Sequence, residues 1–271
     1  MRGQRLTNDL GESPKTLWIT GAGKGIGRAV AWEYARCGWS VAASARTQAD
    51  LDALVQEAVD AKLPGRITAF AVDVTDQDGL KQTFKAIEND LGLLSHVIFN
   101  AGTHIPNSAR ELNVAPFRTL MEINFMGAVN GLSAVIPTFI ERRAGHVAVV
   151  ASVAGYSGLP MASAYGASKA ALINMCEALK PEVEAAGVAL SVINPGFVRT
   201  PLTAKNTFFM PFLIDADVAA RHIYNGMAKG KFEIVFPLTF ALMLKVLRML
   251  PYALYFYVTR KIVEKAKDVS A

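Results

Sequence analysis

The stretch LWITGAGKGIG, Leu17–Gly27, sets four glycines within seven residues directly behind a short apolar run. Glycines between a strand and a helix serve where the backbone must turn tightly and approach a phosphate, while the helix N-terminus offers N–H donors and partial positive charge. Spacing excludes two familiar loops of this kind. The pattern GxGxxG, counted from Gly21, meets Ile26 at its third glycine, and counted from Gly23 it meets Arg28. A P-loop requires Gly-Lys-Ser or Gly-Lys-Thr, and neither follows.

Outward from the loop, apolar and β-branched runs recur: TLWIT (16–20), SVAASA (40–45), RITAFAV (66–72), HVIFN (96–100), HVAVVAS (146–152), ALSVIN (189–194) and EIVFP (233–237). Stretches of helical composition such as RAVAWEYARCG separate most of them, with Gly or Pro at the joins. This alternation predicts an α/β fold, a doubly wound sheet of about seven parallel strands with helices on both faces. Such sheets bind ligands beyond the carboxyl ends of their strands.

The chain has 271 residues, 52% hydrophobic and 19% charged, without a Pro, Gly or Ser-rich linker. We read residues 1–237 as one domain and 238–271 as an apolar, basic helical extension. The first fifteen residues lack the apolar core of a secretory signal, so the expected location is the cytoplasm. Cys37 and Cys176 stand apart in helical patterns without CxxC spacing, which predicts free thiols and neither a disulfide nor a metal site. The net charge of +5 does not indicate nucleic acid, because eight basic and three acidic residues from Lys229 to Ala271 account for all of it.

Tyr165 and Lys169, in SAYGASK, lie four apart in a helical stretch and so share a face. A phenol ordinarily titrates near about 10, and a neighbouring ammonium favours its phenolate, which makes the pair a tunable acid and base. Together with the loop, these residues resemble the short-chain dehydrogenase/reductase family. TGAGKGIG is similar to its TGxxxGxG signature, FNAG (99–102) to its NNAG, and NFMG, carrying Asn124, to its NxxG. Ser152 falls thirteen residues before Tyr165, and NPGFVRT (194–200) is similar to the family's PGxxxT. Phe99 replaces the first Asn of NNAG, which we read as a packing variation.

The resemblance implies a Rossmann-type nucleotide-binding fold and an oxidoreductase that interconverts a carbonyl and a secondary alcohol. Tyr165 would act as general acid/base, its pKa lowered by Lys169 and the nicotinamide ring, with Ser152 bonding the same substrate oxygen. Asn124 would hold a relay water reaching Lys169, making Asn124, Ser152, Tyr165 and Lys169 the catalytic set. Gly21, Gly23, Lys24, Gly25, Ile26 and Gly27 would hold the cofactor phosphates. Asn100, Ala101 and Gly102 would line its ribose and Asp73 and Val74 its adenine, while Lys169, beside Tyr165, grips the nicotinamide ribose. Pro195, Gly196, Val198 and Thr200 would meet the carboxamide and phosphate region. Homodimers or homotetramers are common among such proteins. The alternative is a nucleotide-binding sensor or scaffold without turnover.

Selection of NAD is expected of an acid about 20 residues past the glycines, at the end of the second strand. Ala45 and Arg46 stand there, and Arg46 with Lys24 could clasp a 2'-phosphate, so NADP(H) is expected over NAD(H). The apolar segment containing Phe208, Phe209, Met210, Phe212 and Leu213 is expected either to cover a small apolar carbonyl or alcohol substrate or to pack into the core. In the tail, two apolar helices broken at Pro251 contain no uninterrupted run of the roughly 18–20 residues that span a bilayer. Contact with a membrane surface through residues 238–265, capping of the pocket and cover for a second subunit all fit this pattern.

Overall fold

The computed structural model describes residues 15–205 and 210–268; Phe208 and Phe209 lie outside the described residues. The strands are β1 (Thr16–Thr20), β2 (Ser40–Ser44), β3 (Arg66–Ala69), β4 (His96–Phe99), β5 (His146–Val150), β6 (Ala189–Pro195), β7 (Val198–Arg199), β8 (Ile214–Asp215) and β9 (Glu233–Phe236). The helices are α1 (Gly25–Arg36), α2 (Gln48–Asp60), α3 (Gln77–Leu91), α4 (Val114–Leu120), α5 (Gly127–Arg142), α6 (Ser163–Ala185), α7 (Ala216–Ala228), α8 (Leu238–Met249) and α9 (Tyr252–Asp268). A π turn, Met121–Met126, joins α4 to α5.

All seven predicted runs form one parallel sheet, in the order β3-β2-β1-β4-β5-β6-β9. RITAFAV pairs only as far as Ala69, and the short β7–β8 ribbon was not anticipated. Alternation along the strands feeds two cores. Trp18, Val97, Val147 and Val192 pack on the face of α3, α5, α6 and α8, whereas Leu17, Ile98, Ala148 and Ile193 pack on the face of α1, α2 and α7. Phe99, 3% exposed, meets Trp18 edge-on at 6.0 Å between ring centroids, so the family's first Asn position is here a core position.

Among the described residues one helical stretch, Val114–Arg142, is long and apolar enough to cross a membrane. Its α5 portion supplies Leu132, Val135 and Phe139 to the sheet core. At the amino ends of β4 and β5, His96 and His146 pack with ring centroids 5.3 Å apart. Ser191 donates its one hydroxyl proton to the carbonyl of Lys231 at 2.6 Å, so the Nε2 of His146, 2.7 Å from that hydroxyl, carries a proton and donates it. Burial lowers His96 from the ordinary histidine value to about 3, aided by His146, and lowers His146 to about 4, aided by Lys180.

Candidate active site

Strand order reverses between β1 and β4, and the crevice opens there at their carboxyl ends. Thr20 and Asn100 stitch the two strand ends together. The Thr20 hydroxyl accepts from the N–H groups of Asn100 (3.1 Å) and Ala101 (3.2 Å), and the Asn100 amide donates to the carbonyls of Thr20 (3.0 Å) and Gly21 (3.2 Å). Gly21 turns the chain at φ +67°, a left-handed conformation that favours glycine. Gly27 serves a different purpose: a Cβ there would lie 2.3 Å from the Gly21 carbonyl oxygen. It lets α1 pack on the loop and does not line the crevice.

The crevice holds about 540 Å³. Gly21, Gly23, Lys24, Gly25 and Ile26 form one wall, with Arg46, Asp73 and Val74 at one end. Asn100, Ala101 and Gly102 line it together with Ser152, Tyr165 and Lys169, and a Cβ on Gly102 would lie 3.5 Å from the Lys169 ammonium. Pro195, Gly196, Val198 and Thr200 complete the rim, and Thr200 packs so close to Gly25 that a Cβ there would lie 3.1 Å from its methyl group. Clearance of this kind, with backbone N–H groups at the start of α1, fits an extended phosphate-bearing nucleotide.

Tyr165 and Lys169 share a face of α6, with Nζ 5.7 Å from the phenol ring centroid. Nζ donates to the Val150 carbonyl at 2.9 Å, which anchors the lysine beneath the end of β5. Burial pushes its ammonium down to about 8. The expected lowering of Tyr165 is not what the chain alone produces. Burial raises the phenol, and only the Ser152 hydroxyl opposes it, because the Lys169 ammonium is directed to Val150. Ser152 ends the β5 segment and caps the following turn, accepting from the Ala154 N–H at 3.1 Å.

Asn124, 1% exposed, stands behind the crevice in the π turn. Its amide donates to the Thr103 carbonyl (3.0 Å) and the Ser168 hydroxyl (3.1 Å), and its oxygen accepts from the Thr103 N–H (2.7 Å). This side chain therefore ties the segment after β4 to α6, one residue away from Lys169.

Two neighbours, His104 and Asp50, were not foreseen, and Asp73, expected at the adenine, also approaches Arg46. His104 packs edge-on to Tyr165 at 4.9 Å between centroids, and burial lowers its pKa. The Asp50 carboxylate lies 3.1 Å from the Lys24 ammonium on the crevice wall. Asp73 lies 4.0 Å from Arg46 and also accepts from the N–H and hydroxyl of Thr75. Although Ala45 stands where an NAD-selecting acid is expected, carboxylates do reach the cationic end: α2, entering just after Arg46, turns Asp50 back onto Lys24. Of the two unforeseen residues, His104, two residues past the FNAG segment, is the one that carried a sequence signal.

Beyond Thr200, the ring of Phe212 lies 6.0 Å from that of Phe240 on α8, which itself stacks on Phe197 at 5.6 Å. Tyr156 donates to Glu233 at 2.5 Å, and Glu233 also pairs with Lys245 of α8. The Tyr255 hydroxyl of α9 donates to the Gly158 carbonyl. The tail helices thereby touch the segment between Ser152 and Tyr165, at Tyr156 and Gly158.

The short chain dehydrogenase family model matches residues 15–208. An uncharacterized oxidoreductase of Myxococcus xanthus is 36% identical over 250 residues, covering 92% of this chain and 98% of its own. A short-chain dehydrogenase from Sphingobium yanoikuyae, solved with NADPH, superposes with a TM-score of 0.74 at 24% identity over 83% of this chain and 88% of its own. A short chain dehydrogenase/reductase from Burkholderia phymatum, solved with NAD, gives 0.78 at 22% identity over 86% and 92%. Its loop, its sheet and this breadth of match establish that the chain belongs to the short-chain dehydrogenase/reductase family of oxidoreductases.

Proposed function

We propose that the protein interconverts a carbonyl and a secondary alcohol on a small apolar substrate, using NADP(H) in preference to NAD(H). The observation that carries this reading is the convergence of Ser152, Tyr165 and Lys169 on the crevice that Asn100, Ala101 and Gly102 also line. A nicotinamide cofactor bound there supplies the hydride in reduction and accepts it in oxidation. Tyr165, kept protonated at neutral pH by its burial, donates its proton to the substrate oxygen in reduction and takes one back in oxidation. The Ser152 hydroxyl bonds that same oxygen and orients it toward the phenol. Lys169, held by Val150 with its ammonium 5.7 Å from the phenol ring centroid, would grip the nicotinamide ribose beside Tyr165. Asn124 acts as a positioning residue, since it fixes Thr103 and Ser168 on either side.

Arg46 and Lys24 stand at one end of the crevice, where they would face a 2'-phosphate. Asp50 and Asp73 offset part of their charge. The preference for NADP(H) would accordingly be moderate.

The test is turnover of apolar ketones and secondary alcohols with NADPH or NADP by wild type and Tyr165→Phe. We expect kcat to fall roughly 10²–10⁴-fold in the variant, with NADPH affinity retained. Equal turnover in both proteins would overturn the role of Tyr165. Cofactor binding without turnover on any compound would favour the sensor or scaffold.

A further inference from the structure

The two faces of α8 have opposite surroundings. Phe240, Ala241 and Leu244 are buried against the sheet, whereas Leu238, Leu242, Val246 and Met249, at helical spacing, are 71, 60, 53 and 83% exposed. Helix α9 rests on the body through Tyr255 and Thr259 and exposes Tyr252, Leu254, Phe256 and Tyr257. At roughly 150–250 Å² per aromatic side chain, Tyr252, Phe256 and Tyr257 alone present about 300 Å², already the size of the largest apolar patch on many monomers. Arg248, Arg260 and Lys261 are exposed among these side chains, and the Lys261 ammonium lies 4.5 Å over the Tyr257 ring. The sequence from 238 onward carries six basic and two acidic residues.

We propose that the outer face of α8–α9 docks on a lipid bilayer bearing anionic headgroups. Apolar side chains enter the headgroup boundary while the cations remain at the level of the phosphates. Charge selects this occupant over a second copy of the chain. An isologous pairing sets the same patch, with the same positive surplus, against itself, whereas anionic lipid complements it.

The buried side of the tail gives the docking a consequence for the site. Phe240 lies so close to Gly196 that a Cβ there would be 3.0 Å from its ring, and Tyr255 holds Gly158 between Ser152 and Tyr165. A docked tail therefore brings the substrate end of the crevice to the lipid surface, where an apolar ketone or alcohol concentrates. This last step rests on the proposed substrate class; the docking itself does not.

The experiment is cosedimentation of the full chain with extruded vesicles of phosphatidylcholine alone or mixed with phosphatidylglycerol. Wild type should pellet with the mixed vesicles and weakly with the neutral ones. Val246→Glu with Phe256→Glu, both exposed, should leave the protein in the supernatant without changing its Tm. Neutralising Arg248, Arg260 and Lys261 to Gln should lower the partition coefficient roughly fivefold per cation. Wild type that stays in the supernatant, or a glutamate variant that still pellets, would overturn the proposal. So would a dimer in light scattering that the glutamate variant splits and that binds no vesicles, which would assign the face to a second copy. NADPH fluorescence on the same samples reports separately on the nucleotide site.

Discussion

The glycine loop and the tail are both apolar, close to the crevice and rich in residues whose surroundings constrain them, yet they are constrained in opposite ways. Around Gly27 the limit is backbone clearance: an added Cβ would meet the Gly21 carbonyl oxygen at 2.3 Å and the Asn100 amide at 2.4 Å. Along the outer side of α8 the side chains stand clear of the other described residues, and Leu242 is 60% exposed. The contrast teaches that a site built on clearance writes specific residue types into the sequence. A site built on surface composition leaves only a pattern of apolarity and charge.

The sharpest way to break the comparison is Gly27→Ala. The atoms facing the new methyl group include a backbone carbonyl that cannot swing aside, so we expect a loss of at least about 3 kcal/mol in denaturant unfolding, with NADPH binding impaired. Native stability in this variant would refute clearance as the reason for the glycine.

A third region, the floor of the sheet, sharpens the comparison by depending on protonation. His96 and His146 are held neutral, with pKa values near 3 and 4, and an unfolded histidine titrates near about 6.5. Their folded values lie below the unfolded one, so the unfolded chain binds more protons as pH falls. Their contribution is intact above about pH 6.5 and is lost progressively toward pH 4 and 3, amounting to roughly 1.4 kcal/mol per histidine at pH 5.5. Urea unfolding at pH 7.5 and 5.5 measures this; stability unchanged between them would mean that water reaches the pair.

At the cationic end of the crevice, Asp50→Asn should free Lys24 and tighten NADPH relative to NADH by up to about fivefold, while Arg46→Ala should move the ratio the other way. Fluorescence titration of both cofactors reads the ratio, and two variants with the wild-type ratio would remove these residues from cofactor selection. The smallest effect is expected on the tail's outer face, where Leu242→Ala should change unfolding free energy by less than about 0.5 kcal/mol. A larger loss would show that this face is covered in solution.

Much of this architecture was legible in the chain because its determinants are local. The seven strands follow from short apolar runs between helical stretches, and Gly21, Asn100, Ser152, Tyr165 and Lys169 stand at strand ends or on one helix face. What stayed hidden depends on how elements lean on one another. The approach of Asp50 to Lys24 follows from the angle at which α2 leaves β2. The raised phenol of Tyr165 follows from the depth of its burial and from Lys169 turning to Val150. The junction of α4 and α5 through a π turn brings Asn124 to Thr103 and Ser168 at once, a contact that helical periodicity alone does not disclose.

The bond from Tyr255 to Gly158 spans 97 residues of chain. Ribosomes add roughly 5–20 residues per second, so the segment bearing Ser152 and Tyr165 emerges about 5–20 s before the helix that braces it. The glycine loop, α1 and the first strands are made earlier still. The growing chain can thus assemble its nucleotide cleft before the segment bearing Ser152 and Tyr165 receives its last support, and that wall of the crevice is completed only as the tail is synthesised.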